Sequence, residues 1–599
     1  MWGGILFRPT SVPEPSRLRR TPWLALRRLA FKTENSGWPL QIAFSPNIHG
    51  SHRIHYPSHR FLQVNADSRT RHIGDLQNSV AGWDHMDESV KKAPEASRRN
   101  FLKAITALPV LSMVGAKTWA DAAMVNGKAE FTNPAPNDGK RFVAIQVGAR
   151  SFVDEGVDQV LDTFQQKAGV NVIMPTAFTY GRGLSGRQIP GQPLPDHGVQ
   201  AYDEIHGGSY SKLYPEFASK SVIKDVRAPE LGDFDILADV IPKAKARGMQ
   251  TYCLFEEAYN PRLMPGFEQI AEVDLEGRPG GSTCLNNPNA RNFLVALVEN
   301  WFHHNELDGM MWESERQGPF NNTIGAHFGN FNGASRIYCF CKYCVSKATD
   351  QGIKVERARA GYMALDQWVK QTYKGGAGNG SGSFVSLWRV LLEYPEILEW
   401  HRFWFRSQEE VYGLLRRSVK AINPKAQVGW HIMHLVTMSP FYQADQDYAR
   451  NAKVSDFLKP CPYNNCAGPR FARYIRNVNS TVFRDLTADE VLEFHCRLLG
   501  YEHEASLENL PTSGMSAEYV GRETRRALAE VNGAIPIYPG IDIDIPTGLK
   551  EKRTQPADVK TAVLAAFRAG APGVVLSRKY AEMKLTNLAG AGEALRELS

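Results

Sequence analysis

The residues in this chain best suited to chemistry are carboxylates that recur just after apolar, β-type runs. Phe255 is followed by Glu256 and Glu257, and Trp312 by Glu313-Ser314-Glu315-Arg316. A later run carries Asp542 and Asp544, which face one way in an extended chain because side chains alternate. Paired carboxyls are what cleavage of a glycosidic bond requires. One protonates the leaving oxygen, and the other attacks the anomeric carbon or activates water. Glu313 is the first candidate, with Asp542, Asp544 or Glu256 as its partner. Nearby stand residues suited to stacking on, or hydrogen-bonding, a polyhydroxylated ligand: Trp312, Arg316, Trp430, His431, His434, Tyr463, Arg578, Tyr580 and Glu582. The plainer reading of any single carboxylate is a helix cap or an arginine partner. Glu257 and Glu315 are read as support of that kind.

The cysteines give a second signal. Cys339, Cys341 and Cys344 fall within six residues as C-x-C-x-x-C, a spacing that suits a tetrahedral thiolate site lacking one ligand. His327, Cys461 or Cys466 could complete it, which would make a structural zinc. A disulfide plus a free thiol is the alternative. The carboxylate chemistry itself requires no cofactor. The first strand shows no His-x-His of the kind a catalytic metal would need.

The elements that must position these groups are legible from periodicity. Eight apolar runs alternate with helix-type segments: Phe142–Ala149, Val170–Thr179, Met249–Glu256, Leu307–Glu313, Ala426–His434, Ser455–Tyr463, Ala534–Asp544 and Ala571–Tyr580. The helical patterns between them include Phe234–Gly248, Asn289–His304, Trp400–Asn423 and Pro556–Gly570. Near-continuous apolar strands separated by helices indicate a parallel sheet covered on both faces. Eight such units predict an α/β fold, a (β/α)8 TIM barrel over 141–599, with long insertions after strands 2 and 4 (about 180–231 and 317–392). A doubly wound open sheet is the rival, but no GxGxxG follows the first strand. In a barrel the carboxylates named above fall at the C-terminal ends of strands, where active sites form, and strands 4 and 7 lie across the mouth from each other.

The first 140 residues read differently. The formal charge of +7 is concentrated in residues 1–85, where ten Arg and one Lys face three Asp and two Glu. The rest is close to neutral, so no basic face for nucleic acid is expected. Residues 1–85 show no periodicity and read as disordered, or as translation from upstream of the true start at Met86. Ser97-Arg98-Arg99-Asn100-Phe101-Leu102-Lys103 matches the twin-arginine export pattern. An apolar stretch, 104–116, and a small-x-small site, Ala120-Asp121-Ala122, follow it in the order of a cleavable signal. The expected organisation is a signal peptide at 86–122, a linker at 123–140, then the barrel. The twin-arginine translocase and signal peptidase are the expected partners during export. The mature form is expected to be periplasmic or secreted and not embedded in a membrane, since 104–116 is shorter than the roughly 17–25 residues a span needs.

Residues 141–599 resemble the glycoside-hydrolase-like (β/α)8 proteins that bacteria export by the twin-arginine route. The resemblance rests on Leu307–Pro319, the C-F-C-x-x-C segment with Gly352-Ile353 after it, Tyr538–Asp544, and Gly573–Met583 before a closing helix. It implies a carbohydrate substrate without naming a sugar, and it assigns no catalytic pair. The competing readings are a carbohydrate-binding barrel without catalysis and a metal-dependent barrel enzyme acting on sugars.

Overall fold

The computed structural model describes residues 141–599, apart from 181–191, 193, 203–204, 258–263 and 376–379. The 1–85 extension, the twin-arginine segment and the 123–140 linker lie outside the described residues. Eight parallel strands follow one another: β1 Phe142–Val147, β2 Val172–Tyr180, β3 Gln250–Glu256, β4 Gly309–Glu313, β5 Gln427–Ile432, β6 Phe457–Pro460, β7 Gly540–Asp542 and β8 Gly573–Ser577. Each pairs in parallel with its chain neighbour from β1 to β6, β7 pairs with β8, and β8 pairs back onto β1. The remaining seam, β6 to β7, is joined where Leu458 N–H donates to Pro536 O (3.1 Å) and Tyr538 N–H donates to Leu458 O (2.9 Å). The fold is a (β/α)8 barrel.

Its outer helices are α1 Val157–Ala168, α2 Ile241–Ala246, α3 Pro288–His304, α4 Glu396–Ile422, α5 Tyr448–Asn451, α6 Ala517–Val531, α7 Pro556–Arg568 and α8 Leu585–Glu597. Capping explains several boundaries. The Asn287 side chain accepts from Asn289 N–H at the start of α3, and Ser516 does the same for Tyr519 in α6. The helix expected over Phe234–Gly248 is regular only in α2. Pro242 lies in the first turn of α2, and upstream the Asp235 side chain accepts from Leu237 and Ala238 N–H in a local turn. Among the described residues no helix is long and apolar enough to cross a membrane.

The period of two decides what each strand side chain meets. Val143, Ile145 and Val147 point to the helices, whereas Phe142, Ala144 and Gln146 point into the barrel. The lower interior is filled by aromatics. Phe142 stacks on Tyr538 (centroids 3.9 Å apart) and meets Tyr252 edge-on (5.6 Å), while Tyr252 meets Phe457 (5.8 Å). Glycine makes room for them, since a Cβ on Gly429 would come within 2.2 Å of the Phe457 ring. The barrel is therefore plugged below and open only at the C-terminal ends of its strands.

The expected insertions are present. Residues 180–231 contribute a short strand, Gly207–Ser209, antiparallel to β2, and 317–392 form four helices. Two more were not anticipated. A hairpin, Ala271–Val273 with Pro279–Thr283, follows β3, and the helices Asn464–Asn479 and Ala488–Leu499 follow β6.

Candidate active site

Strand register brings two of the expected carboxylates side by side. Glu256, the last residue of β3, is the register partner of Glu313, the last of β4. Both line a cavity of about 160 Å³ at the barrel mouth, together with Glu315, Tyr463, Arg470 and Arg578. Glu313 is held from two directions. Gln146 Nε2, from the end of β1, donates to Glu313 Oε2 at 2.8 Å, and His431 Nδ1, from β5, lies 3.1 Å from Oε1. His431 Nε2 faces Glu315 Oε1 at 3.4 Å.

His431 is fully enclosed. Burial opposes charge on its ring, but the neighbouring Cys461 and Glu313 outweigh that and push it up to about 10. Glu315 is half-exposed at the rim. Its recess opposes ionisation, yet the hydrogen bond with His431 and the charge of Arg470 bring it down to about 2. The floor is Lys459, completely buried at the end of β6. Its Nζ donates to Tyr463 OH (2.5 Å) and to Gln146 Oε1 (3.2 Å), and Gln146 Oε1 also accepts from Ser577 Oγ (2.7 Å). Those two bonds into Oε1 fix the amide so that its NH2 faces Glu313. Gly540 admits this arrangement, because a Cβ there would come within 2.9 Å of Lys459 Cε and 2.7 Å of the Tyr463 ring.

Other expected site residues lie elsewhere. Trp312 and Trp430 were read as sugar-stacking, but both are fully buried on the outer face of the sheet. They precede residues that point inward, so the same alternation sends them outward. Trp430 stacks on Tyr412 of α4 (4.2 Å) and meets Trp312 edge-on (6.1 Å). Asp542 is wholly buried and accepts from Cys466 N–H and Ile545 N–H, both at 2.9 Å. Burial raises its carboxyl above the ordinary range. β7 ends at Asp542, so the alternation expected to carry Asp544 onto the same face does not continue. Asp544 instead accepts from Lys584 N–H (2.7 Å) and Asn587 Nδ2 (2.9 Å), and burial pushes it up to about 7. Neither aspartate lines the mouth cavity.

His434 is buried behind it, with Nε2 3.1 Å from Tyr519 OH. Tyr580 packs on His197 (4.2 Å) with its hydroxyl on Glu155 (3.2 Å), and Glu582 pairs with Arg578 through two hydrogen bonds. Arg316 serves an adjoining cavity of about 280 Å³ that shares Glu257 and Glu315 with the first. There it pairs with Glu272 (2.8 Å), lies 3.5 Å from Glu257 and covers the Trp404 ring. The support role read for Glu257 matches this placement.

Sequence reasoning missed Gln146, Lys459 and Arg470. Two of them carried a signal. Gln146 is the polar member of the inward series Phe142, Ala144, Gln146, and Lys459 is a lone charge within the apolar run of strand 6.

The cysteine cluster is separate. Cys339, Cys341 and Cys344 meet Cys284, which follows the hairpin after β3, and the four ligand atoms lie within 4.8 Å of one another in a buried site. Cys284 Sγ is 3.4 Å from Cys341 Sγ and 3.5 Å from Cys344 Sγ. A zinc with bonds of about 2.3 Å would set tetrahedral sulfurs roughly 3.8 Å apart, close to this spacing. Asn286 Nδ2 and Cys344 N–H point at the sulfurs of Cys344 and Cys341, as hydrogen-bond donors to thiolates do. The residue that joins the three is thus neither His327, Cys461 nor Cys466 but Cys284, 55 residues upstream of Cys339, which local spacing cannot reveal.

No family model matches the chain, and no curated protein matches it. Among solved structures it is similar to an α-L-fucosidase isoenzyme 2 from Paenibacillus thiaminolyticus (13% identity, TM-score 0.41, covering 77% of this chain and 49% of that one). It is also similar to β-galactosidases from Halorubrum lacusprofundi (13%, TM-score 0.42, 76% and 58%) and Rahnella sp. R3 (14%, TM-score 0.42, 77% and 57%). The chain spans about half to three fifths of the length of those enzymes. Likeness at this level transfers no residue roles, and the barrel stands on its own strand order and registers.

Proposed function

We propose that this protein is a glycoside hydrolase whose reacting carboxyls are Glu313 and Glu256. The observation that supports this is their register pairing at the open end of the barrel, both lining one cavity with Tyr463 and Arg578. Glu313, held in place by Gln146 and by His431, is suited to act as nucleophile or base. Glu256 is then the acid that protonates the leaving oxygen. The test is hydrolysis of a panel of aryl glycosides by the wild type, Glu313→Gln and Glu256→Gln. Full turnover in both variants would end the assignment.

The protein is further proposed to leave the cytoplasm by the twin-arginine route, on the strength of residues 97–103. Replacing Arg98 and Arg99 by Lys should retain it in the cytoplasm. The four cysteines are proposed to hold a structural zinc, tying the hairpin after β3 to the insertion after β4. The ion would supply a rigid cross-link and no chemistry at the mouth.

A further inference from the structure

Arg470 is a cation at the mouth that no carboxylate among the described residues pairs with directly. It projects from the Asn464–Asn479 helix, part of the unanticipated insertion after β6, and lines the same cavity as Glu313. Its Nη1 lies 2.9 Å from His434 Nδ1. A guanidinium can only donate, so His434 Nδ1 must accept, and the imidazole proton then sits on Nε2 toward Tyr519 OH. His434 is therefore neutral in this arrangement. Burial and the charge of Arg470 both hold it well below its ordinary value. Arg470 also covers the face of Phe328, 4.8 Å away, which brings no full charge.

The other recessed arginines contrast with it. Arg578 has Glu582, Arg316 has Glu272, and Arg526 has Glu523 at 2.7 Å. No carboxylate among the described residues comes within 4.0 Å of Arg470. Glu315 shares the cavity wall but directs Oε1 at His431. From further off Cys466, Glu315 and Asp542 favour the charge of Arg470 and outweigh burial and the opposing Arg578. A recessed guanidinium that meets a neutral imidazole and an aromatic face, and no carboxylate directly, keeps donors open to a ligand in the cavity. A planar guanidinium is matched best by a planar, two-oxygen anion.

We propose that Arg470 receives the carboxylate of an acidic sugar, so that the ligand of this barrel is a uronic-acid-type glycoside. The inference rests on the glycosidase reading for its setting, although the anion site itself requires no turnover. Arg470 also fixes orientation, because a carboxylate held there sets the ring relative to Glu313 and Glu256.

The test is calorimetric binding to the full chain of glucuronate and galacturonate, each against glucose or galactose and against its own methyl ester. Preference of at least about tenfold for one uronate over both its neutral parent and its methyl ester is expected. In Arg470→Gln that ratio should fall to about one, and Arg470→Lys, which keeps charge but loses the fork, should fall between. Equal binding of uronate, parent and ester by the wild type would overturn the proposal, and this arm needs no variant to fold. An undiminished ratio in a folded Arg470→Gln would overturn it as well. Uronate binding that depends on Arg470, without cleavage of any aryl uronide, would leave the site standing and remove the hydrolase reading. Cleavage of neutral glycosides with no uronate preference would do the reverse.

Discussion

The imidazole of His431 touches Glu313, its Nδ1 lying 3.1 Å from the carboxylate oxygen, while its other nitrogen reaches toward the rim. One buried ring thus links the carboxyl at the centre of the mouth with Glu315 at its edge. The same Nδ1 is 3.2 Å from Lys459 Nζ, so an ammonium and a carboxylate compete for it. Cys461, 3.5 Å from both ring nitrogens, adds to the carboxylate side.

Removing the central charge should abolish turnover while sparing the fold. Glu313→Gln keeps the shape and still offers one oxygen to Gln146. The expected loss is about 10²–10⁴-fold in kcat, the usual range for a lost acid–base group. Kinetics on the responsive aryl glycoside, with a melting curve alongside, reads both. A drop in melting temperature large enough to explain the lost rate would count against a chemical role.

The His431 cluster should make stability depend on pH with a defined sign. A group raised from 6.5 to about 10 contributes stability that is complete below 6.5 and lost as pH climbs through 10. Glu315, lowered from 4.5 to about 2, contributes above 4.5 and loses its share as pH falls through 2. Its half-exposed side chain makes that share small. Both contributions are whole between pH 4.5 and 6.5. The gap in unfolding free energy between wild type and His431→Asn, from urea titration, should therefore be smaller at pH 9.5 than at pH 6. A gap that widens with pH would be the wrong sign.

Asp542 should behave as a clamp and not as a reacting group. Asn in its place keeps one acceptor but turns the other into a donor facing a backbone N–H. The expected cost is about 1–3 kcal/mol of stability for a buried bond left unmade. Turnover by the remaining folded enzyme should stay within a few-fold of wild type. A collapse in kcat at unchanged stability would restore it to the catalytic candidates.

Trp312 should report packing and not ligand. Trp312→Ala should cost about 3–5 kcal/mol through the cavity it leaves between β4 and α4. Trp312→Phe should be milder and leave KM unaltered. A several-fold rise in KM in the Phe variant would mean that the ring reaches the ligand after all.

The cysteine cluster should carry one equivalent of zinc per chain, measurable by elemental analysis of the purified protein. Cys284→Ser should lose most of it and lower the melting temperature. Each kcal/mol lost is worth about 2–4 °C in a domain of 150–250 residues. Metal-free protein, with Cys284→Ser as stable as the wild type, would leave the cluster as four packed thiols.

Much of the fold was legible because strand and helix periods are local properties. Seven of the eight staves fall inside the runs that the sequence marks, β2 overshoots its run by one residue at Tyr180, and Glu313 and Glu256 end theirs as expected. What stayed hidden depends on contacts between distant segments. Nothing near Trp312 in the chain reveals that Tyr412 and Trp430 wait on the far side of the sheet. Nothing near Cys339 points to Cys284. Asp542 and Asp544 looked equivalent because alternation was extended past the point where β7 stops. Arg470 was missed because its helix belongs to an insertion, and the pattern of barrel units gives no reason to look there.

The β6–β7 seam has a mechanical consequence. Every other pair of neighbouring staves shares three to five register positions, whereas this one is stitched by two backbone hydrogen bonds around Leu458. The chain between the two staves runs for almost eighty residues and is the longest loop that must close before they meet, apart from the one joining β4 to β5. The amides of Leu458 and Tyr538 are where this cylinder should exchange with deuterium soonest. Lys459 sits one residue beyond that stitch, so a breathing seam loosens the floor beneath Glu313 before it disturbs the walls.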